Sequence, residues 1–462
     1  MENESRSGVE VSSWDLSYVT RPAVVVRPKN VNEIVAVMKD KQQYPSPVRA
    51  VGAHHAATGC TGADGGTLID MTGMNRVIEI GKDTVTTEAG AFWIDVGKEL
   101  EKRSLQHFVN LEIGMLSMGT AAICGTKDSA FFGEHGQCSS YAVRIKMVKP
   151  SGELFEVNES DPELLRFARS SYGLLGIVYE VTFRVRPLQA MMIRHKRYSL
   201  EEFERELPAL QKLGESIFMY ITPHINRVTI EFRKYVDGPV TEGRWKWQLR
   251  NFFWKQLSPR IGHVASKYIP RPIGFWIVNL FNRLQTFLME KVLTGSTVAT
   301  DQVIRFAPLG KVGSIYMFSI WAFPEKDFPG IMRSYFEFNF DYSKKHGYRC
   351  NMLNVGYRIF QDESNHFSYC HDGNVMTCDP VGSGDEGWND YIDAYNKWCI
   401  SLGGRPLFNQ SRRLTPEHAR MALGKRIDVF NDLRKQYDPQ DRLLNDFFKR
   451  MLADASPTEE SR

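Results

Sequence analysis

Two stretches of small residues, each beside polar side chains, are the parts of this sequence best suited to hold a ligand. The first is the turn Gly52–Gly59, which follows the predicted strand Val48–Val51 and contains His54 and His55. The second is the Gly- and Ala-rich run Ser117–Gly125. Small residues let a backbone approach a ligand closely, and the N–H groups of such loops can cradle an anion. We therefore predict that the two stretches contribute to one binding site.

Several well-known kinds of site are absent from the sequence. No Walker, HExxH, GxSxG or EF-hand pattern occurs, and no GxGxxG is predicted to follow a strand and open a helix, so a Rossmann nucleotide site is not supported. The seven cysteines form no CxxC pair, which favours reduced thiols, and we predict no metal site. The 58 basic and 54 acidic residues nearly balance, with a net charge of +4. That balance gives no reason to expect a nucleic-acid partner.

The elements that must position these residues indicate an α+β protein. A length of 462 residues is enough for two or three domains. The β-branched run in Pro22–Arg27 and the alternating pattern of Val178–Val185 each predict a strand. A loop containing glycine predicts a hairpin between Val143–Val148 and Leu154–Val157, and Asn32 is predicted to cap a helix.

The middle of the chain has a different composition. Between Glu242 and Glu290 there is no acidic residue, and residues 244–287 interleave Lys and Arg with Trp and Phe. Two interpretations stay open: an aromatic core with basic stems at its surface, or an element that contacts a membrane surface or a lipid substrate. The polar N-terminus does not resemble a signal peptide, and no apolar run is long enough to span a bilayer. We expect a cytoplasmic location, with residues 244–287 as the candidate for peripheral membrane contact.

Four segments, taken together in their order and spacing, carry a family pattern. They read PAVVVRPKNVNEIVAVM (22–38), VRAVGAHHAAT (48–58), IGMLSMGTAAICGTK (113–127) and YGLLGIVYEVTFRVRP (172–187), and a fifth, YDPQDRLLND (437–446), follows near the C-terminus. The set resembles the vanillyl-alcohol-oxidase flavoprotein family, whose FAD-binding domain has the p-cresol methylhydroxylase (PCMH) type of fold.

The resemblance implies a domain division and a cofactor. Residues 1–188 would form a two-subdomain PCMH-type FAD-binding domain, 189–402 an α+β cap that holds the substrate, and 403–462 a segment that completes the flavin domain. His55 is similar to the histidine that, in many family members, bonds covalently to the flavin 8α-methyl carbon; no cysteine stands where some relatives form a second link. The implied FAD contacts are Gly52, Ala53, His54, His55, Ala56, Ser117, Met118, Gly119, Ala122, Gly125, Ile177, Val178 and Asn445.

The resemblance also implies catalytic residues. The segment Asn354–Phe360 is similar to one in alditol and aldonolactone oxidases, where a glutamate and an arginine flank the flavin N5; these positions are Gly356 and Arg358 here. The segment Gly403–Gln410 is similar to another in which a lysine stands where this chain has Gln410. Arg358, Gln410 and Lys127 are the predicted catalytic residues, and Tyr357 and His366 are further residues predicted to line the pocket.

The function that the resemblance implies is the oxidation of a CH–OH group by an FAD-dependent oxidoreductase, with hydride transfer to flavin N5. The substrate would be a sugar, a lactone or a larger alcohol, and oxygen or another molecule would accept the electrons. Three alternatives stay open: a lipid-linked sugar oxidase with noncovalent FAD, a flavin-dependent C=C reductase, and a non-catalytic flavin-binding descendant. The missing ionic groups at Gly356 and Gln410 predict a preference for larger or more apolar alcohols over simple alditols and aldonolactones.

Overall fold

The computed structural model describes residues 9–238, 244–305 and 316–453. In chain order its strands are β1 (Val11–Ser12), β2 (Val19–Thr20), β3 (Val24–Val26), β4 (Val48–Val51), β5 (Thr67–Asp70), β6 (Val77–Ile80), β7 (Thr84–Glu88), β8 (Leu105–His107), β9 (Ala142–Val148), β10 (Leu154–Asn158), β11 (Ile177–Pro187), β12 (Ala190–Tyr198), β13 (Ser216–Thr222), β14 (Arg227–Val236), β15 (Gly295–Thr297), β16 (Met317–Phe318), β17 (Trp321–Pro324), β18 (Asn354–Ile359), β19 (Val375–Thr377), β20 (Val381–Gly382) and β21 (Arg405–Pro406). Its helices are α1 (Val31–Lys39), α2 (Trp93–Glu101), α3 (Met118–Ile123), α4 (Pro162–Ala168), α5 (Leu200–Leu210), α6 (Trp245–Phe252), α7 (Ser258–Lys267), α8 (Arg271–Val292), α9 (Ala299–Gln302), α10 (Phe328–His346), α11 (Trp388–Ser401), α12 (Pro416–Leu423), α13 (Lys425–Tyr437) and α14 (Asp446–Met451). The predicted α+β class is confirmed.

The N-terminal part contains a small parallel sheet in the order β3-β5-β4, with α1 connecting β3 to β4. Asn30 caps α1, because its side chain accepts a hydrogen bond from the backbone N–H of Glu33. Asn32, which the sequence predicted as the cap, is instead the second residue of the helix. Ile34 and Met38 bury the inner face of α1 in the core.

A second, antiparallel sheet follows in the order β10-β9-β11-β7-β6, and β8 pairs with the far end of β11. The predicted hairpin is formed by β9 and β10, and the predicted strand Val178–Val185 lies within β11. The small-residue run Ser117–Gly125 forms α3, which Ser117 caps and which packs against β7 and β11. Close packing of α3 on this sheet is what brings the run beside the turn after β4.

The middle of the chain builds a large antiparallel sheet in the order β15-β12-β14-β13-β18-β19-β17-β21. The edge strand β21 lies just beyond residue 402, so the C-terminal segment first adds a strand to this sheet. The division into residues 1–188, 189–402 and 403–462 stays a proposal, and residues 1–8, 239–243, 306–315 and 454–462 of these segments lie outside the described residues.

The C-terminal segment then returns to the N-terminal part. The carbonyl of Arg442 accepts a hydrogen bond from the N–H of Val48 at the start of β4. The side-chain amide of Asn445 donates to the carbonyls of Gly59 and Gly62 at 3.0 and 2.9 Å. Arg49 is buried and donates to the carbonyls of residues 443, 60 and 172, at 2.9, 2.8 and 2.6 Å. Segments far apart in sequence are therefore fixed around β4.

Residues 244–292 form a layer of helices, α6 to α8, in which a π-helical turn, Phe253–Leu257, joins α6 to α7. One side of α8 packs against β12. Its opposite side exposes a stripe of apolar side chains at helical spacing, namely Ile273, Trp276, Leu280, Leu284 and Phe287. None of the described helices is both long and apolar enough to cross a bilayer.

Candidate active site

The two small-residue stretches line one cavity, here called the loop cavity. Its empty space is about 920 Å³, open mouth included, and its walls include the turn Gly52–Ala56, residues 115–117, Gly119 and Thr120. A Cβ atom added to Gly52 would lie 2.4 Å from the Oγ of Ser117, so only glycine lets the two stretches meet. Within the described part of the chain, the backbone N–H groups of residues 53–56 have no hydrogen-bond acceptor. Such a row of free N–H groups is suited to binding an anion.

His55 is the most distinctive side chain of this turn. Its ring stacks on Trp14, with centroids 5.0 Å apart and an interplanar angle of 24°. The Nε2 atom is buried and has no partner among the described residues. Burial, helped by neighbouring His54, lowers the pKa of His55 to about 3, so the imidazole is neutral at physiological pH. His55 therefore presents an uncharged ring nitrogen to the cavity.

Eight of the residues predicted to contact FAD line the loop cavity, and five do not. Those in the wall are Gly52, Ala53, His54, His55, Ala56, Ser117, Gly119 and Val178. Met118, Ala122 and Ile177 belong to the hydrophobic core, because Met118 and Ala122 share one face of α3 and Ile177 alternates with Val178 along β11. Gly125 lies beyond the end of α3, near Leu407 and Tyr172. Asn445 does not line the cavity. Its side chain caps α14 and donates a hydrogen bond to the Gly59 carbonyl, at the end of the small-residue turn.

A second cavity, here called the sheet cavity, opens beside the first. It is similar in size, about 930 Å³, and shares His55, Leu116 and Gln410 with the loop cavity. Its walls are mainly apolar and aromatic, and include Leu111, Ile113, Phe218, Trp254, Ile304, Tyr316, Phe318, Ile320, Val355 and Tyr357. Four charged side chains also reach it: Glu112, Lys127, Asp128 and Asp379. A small-molecule site typically has such apolar walls with a few polar groups.

Lys127 and Asp379 form a buried ion pair in this wall, with Nζ 3.4 Å from Oδ2. The ammonium also lies 3.5 Å from the ring centroid of Tyr357. Burial raises the pKa of Asp379 to about 6, although Lys127 opposes the shift, and burial lowers the pKa of Lys127. The Oδ1 atom of Asp379 is buried without a partner among the described residues. Asp379 can therefore accept a proton at Oδ1 near neutral pH.

The other two carboxylates of the wall are already engaged. Arg233 is fully buried and donates to Glu112 at 2.8 Å and to Asp128 at 3.0 Å. The second oxygen of Asp128 accepts from the backbone N–H of Ser129 at 2.7 Å. Arg250 also donates to Glu112. These bonds make both groups part of the scaffold behind the cavity.

Gln410 lies where the two cavities meet, and its Oε1 atom is buried without a partner among the described residues. The preceding residues hold the small-residue turn: the Phe408 carbonyl accepts from the Thr58 hydroxyl, and the Asn409 carbonyl accepts from Ala57 N–H. The C-terminal segment thus places Gln410 beside His55.

Arg358 and His366 are not in either cavity, contrary to expectation. Arg358 donates to Glu325 at 2.6 Å and to the Gln211 carbonyl at 2.8 Å, on the side of β18 opposite Tyr357. Side chains alternate along a strand, so Val355 and Tyr357 face the sheet cavity whereas Arg358 faces away. His366 is buried between α4 and α13, where it bonds the Arg426 carbonyl and stacks on Phe167.

Sequence reasoning missed residues that the fold brings to these cavities. Asp379 stands 252 positions after Lys127, and no local pattern links the two. Arg49 lies within the segment VRAVGAHHA. Its three acceptors are the carbonyls of residues 443, 60 and 172, and no local sequence pattern links them to Arg49. Asn409, directly before Gln410, also lines the loop cavity and has a buried, unpartnered Oδ1. The sequence signal that could have identified Asn409 was its position directly before Gln410, which was predicted to be catalytic.

Comparisons with known proteins agree with this geometry. Residues 22–158 match the model of a family described as an FAD binding domain. An L-gulono-1,4-lactone dehydrogenase of Mycobacterium tuberculosis is 29% identical over 314 residues, which cover 64% of this chain and 69% of the relative. A D-arabinono-1,4-lactone oxidase of Candida glabrata is 24% identical over 304 residues, covering 64% and 56% of the two chains.

The fold as a whole is similar to that of solved cholesterol oxidases. The structure from Brevibacterium sterolicum has a TM-score of 0.71 at 16% identity, and the match covers 96% of each chain. A solvent-stable cholesterol oxidase has a TM-score of 0.72 at 14% identity, covering 96% of this chain and 97% of the other. The likeness therefore extends over both the small-residue loops and the large sheet.

Proposed function

We propose that this chain is an FAD-dependent oxidoreductase of the PCMH-type flavoprotein family that acts on CH–OH groups, and that its substrate is an alcohol or lactone whose bulk is apolar. The sheet cavity is the proposed substrate site and the loop cavity the proposed FAD site. One observation carries the proposal: an aromatic-walled cavity shares His55 and Gln410 with the cavity of the small-residue loops.

The residues of the loop cavity fit FAD. The free N–H groups of residues 53–56 suit the pyrophosphate, and Gly52 and Gly119 let the cavity walls pack closely, against Ser117 and Ala89 respectively. The unpartnered polar atoms of His55, Asn409 and Gln410 offer hydrogen bonds to a polar ring system. Bound FAD supplies a two-electron acceptor at its isoalloxazine ring. His55, with its neutral and unpartnered Nε2, is the proposed point of covalent attachment.

Asp379 is the residue that we propose to accept the hydroxyl proton of the substrate. Its free Oδ1 lies in the sheet-cavity wall, and its raised pKa makes it a stronger base than an ordinary carboxylate. Lys127 stabilises the ionised carboxylate, and Tyr357 holds the ammonium over its ring. Gln410 is proposed to orient the substrate oxygen at the junction of the cavities. Arg358 is left out of this set because of its position.

The first prediction concerns substrate choice. Under anaerobic conditions, a long-chain primary alcohol or a sterol should reduce the bound flavin at least about a hundredfold more efficiently than xylitol, sorbitol or L-gulono-1,4-lactone. Apolar walls stabilise apolar groups, whereas a polyol would leave its extra hydroxyls without partners. The measurement is stopped-flow bleaching of flavin absorbance. Faster reduction by a free alditol or simple lactone than by every apolar alcohol would contradict the proposal.

We further propose that the exposed side of α6 to α8 contacts an anionic membrane, from which an apolar substrate is taken. Trp245 and Trp276 are 57% and 63% exposed, and Trp276 is part of the apolar stripe of α8. Arg260, Lys267 and Arg283 are exposed and pair with no carboxylate among the described residues. Aromatic and apolar side chains flanked by unpaired cations match the chemistry of an anionic lipid surface.

The second prediction tests this contact with vesicles. The flavin-loaded protein should bind vesicles containing phosphatidylglycerol at least about tenfold more tightly than pure phosphatidylcholine vesicles, and added salt should weaken the binding. Trp276→Glu should abolish most of the difference, because it places an anion in the apolar stripe. Met421→Glu, at a 64% exposed site on α12, is the matched control and should bind normally. Equal binding to both lipids in co-sedimentation would refute the contact.

A further inference from the structure

A third cavity, here called the helix cavity, lies within the helical layer between α6, the π-helical turn and α8. Its empty space is about 430 Å³, open mouth included. The walls are formed by Leu249, Arg250, Phe253, Trp254, Gln285, Leu288, Met289, Val292 and Leu293. Seven of these nine side chains are aliphatic, thioether or aromatic, so an occupant must be apolar.

Trp254 separates the helix cavity from the sheet cavity, because its side chain lines both. The indole stacks on Tyr220 with centroids 5.5 Å apart and meets the edge of Tyr316 at 6.3 Å. Its Nε1–H is buried and has no acceptor among the described residues. Ring contacts, rather than a hydrogen bond, therefore hold the indole in place.

The backbone at this position is unusual as well. Trp254 lies in the π-helical turn Phe253–Leu257, where the N–H of Ser258 donates to the carbonyl of Phe253. A π-turn is a wider, less favourable arrangement than an α-helix and often marks a functional position. A turn that can return toward α-helical geometry gives the indole a route to a second position.

The outer end of the helix cavity reaches the protein surface. Leu249 lines the cavity and is 41% exposed, and the neighbouring Phe252 on α6 is 51% exposed. The cavity therefore lies between this exposed apolar surface and the site of the reacting CH–OH group. A linear chain is the ligand shape that fits such a succession of apolar spaces.

We propose that the helix cavity binds the hydrocarbon chain of the substrate and that Trp254 turns aside to join it to the sheet cavity. The inference rests on the proposed function, since it places the chain of the alcohol whose CH–OH group lies beside Asp379. The substrate class is accordingly a long-chain alcohol or lactone.

The first experiment measures binding of a probe that need not be a substrate. A decanol carrying bromine on its last two carbons should quench the tryptophan fluorescence of the flavin-loaded protein. The Trp254→Phe variant should lose a distinct part of this quenching. Val292→Phe fills the helix cavity and should weaken binding at least about tenfold, since each buried methylene contributes about fourfold in affinity. Val429→Phe, a 50% exposed site on α13, is the matched control and should bind like the wild type.

Equal quenching of the wild type and Trp254→Phe, or unchanged affinity in Val292→Phe, would overturn the proposal. Leu288→Phe fills the same cavity from the preceding turn of α8 and replaces Val292→Phe if that variant loses its flavin or melts early.

The second experiment compares flavin reduction by primary alcohols from butanol to decanol. The KM of the wild type should fall steeply with chain length, and the cavity-filled variant should lose this dependence. A wild-type KM independent of chain length would overturn the inference while leaving the proposed function in place. Specific quenching by the brominated decanol, with no alcohol able to reduce the flavin, would instead support the chain site and reject the proposed reaction.

Discussion

Asp379→Asn is expected to slow flavin reduction by the preferred alcohol by about two to three orders of magnitude, with little change in flavin content. The substitution keeps the shape and the hydrogen bond from Thr377 but removes the group that accepts the hydroxyl proton. Because the pKa of Asp379 is raised to about 6 and the ionised form is the base, the wild-type rate should rise as the pH passes upward through this value. The variant should lack that inflection. The rate constant for flavin bleaching is measured between pH 5 and 9.

Two companion variants separate a catalytic from a structural role. Lys127→Met removes the cation that favours the ionised carboxylate, so the inflection should move to higher pH. Asp385→Asn changes another carboxyl whose pKa burial raises, in a different part of the fold, and should stay within about twofold of the wild type. An unchanged pH profile in Asp379→Asn would assign the proton to another group.

The second large effect is expected at His55. Flavin should remain with the wild-type protein after acid precipitation, and His55→Ala should release all of it while remaining folded. The reason is that His55 presents a neutral, unpartnered Nε2 to the loop cavity, where its ring is held by Trp14. Absorbance of the washed precipitate and of the supernatant is the measurement.

His54→Asn is the matched variant for this test. His54 has a backbone φ of 56°, in the left-handed region that asparagine tolerates, so the turn should keep its shape. This variant should retain the flavin in acid. If the wild type releases its flavin, the covalent link is wrong and His55 serves as a hydrogen-bonding wall residue; if only His54→Asn releases it, the attachment is at His54.

Local signals predicted the elements around the loop cavity well. The turn after β4 and the run in α3 consist mainly of small residues. Small residues permit a close approach of the backbone in any fold, so they can be interpreted without knowing the tertiary structure. The N-cap of α1 shows the limit of such signals: both Asn30 and Asn32 are good caps, and the choice between them depends on where the chain leaves β3. The difference changed no functional conclusion.

The face of β18 could not be predicted in the same way. Both of its faces are buried, so the alternation of Val355 and Tyr357 with Gly356 and Arg358 carries no clear inside and outside. Pairing of Tyr357 with Phe218 on β13 sets the orientation, and that partner lies about 140 positions earlier. One position of difference along the strand separates a residue in the cavity from one behind it. The resemblance pointed to Arg358 on β18, whereas Tyr357 is the neighbouring side chain that lines the sheet cavity.

Composition marked the segment that contains residues 244–287 as distinct, but the sequence did not predict that residues 244–292 form a layer of helices. Its apolar residues are too numerous to mark a single face, since some line the helix cavity and others form the exposed stripe.

The pair of Lys127 and Asp379 could not be predicted from the sequence for a different reason. Tertiary pairing brings Asp379 to the wall through a single β-bridge with Val355, and such a contact leaves no periodic trace in the sequence.

The bonds of Arg49 also bear on how the protein is made. One of its carbonyl partners belongs to Leu443, which leaves the ribosome 394 residues after Arg49. Domains that fold during synthesis normally do so from the N-terminus, as each becomes complete. Here the groups that fix the small-residue turn, including those around Gln410, are synthesised 350 to 394 residues after it. The walls of the loop cavity therefore cannot be complete until those later residues have left the ribosome.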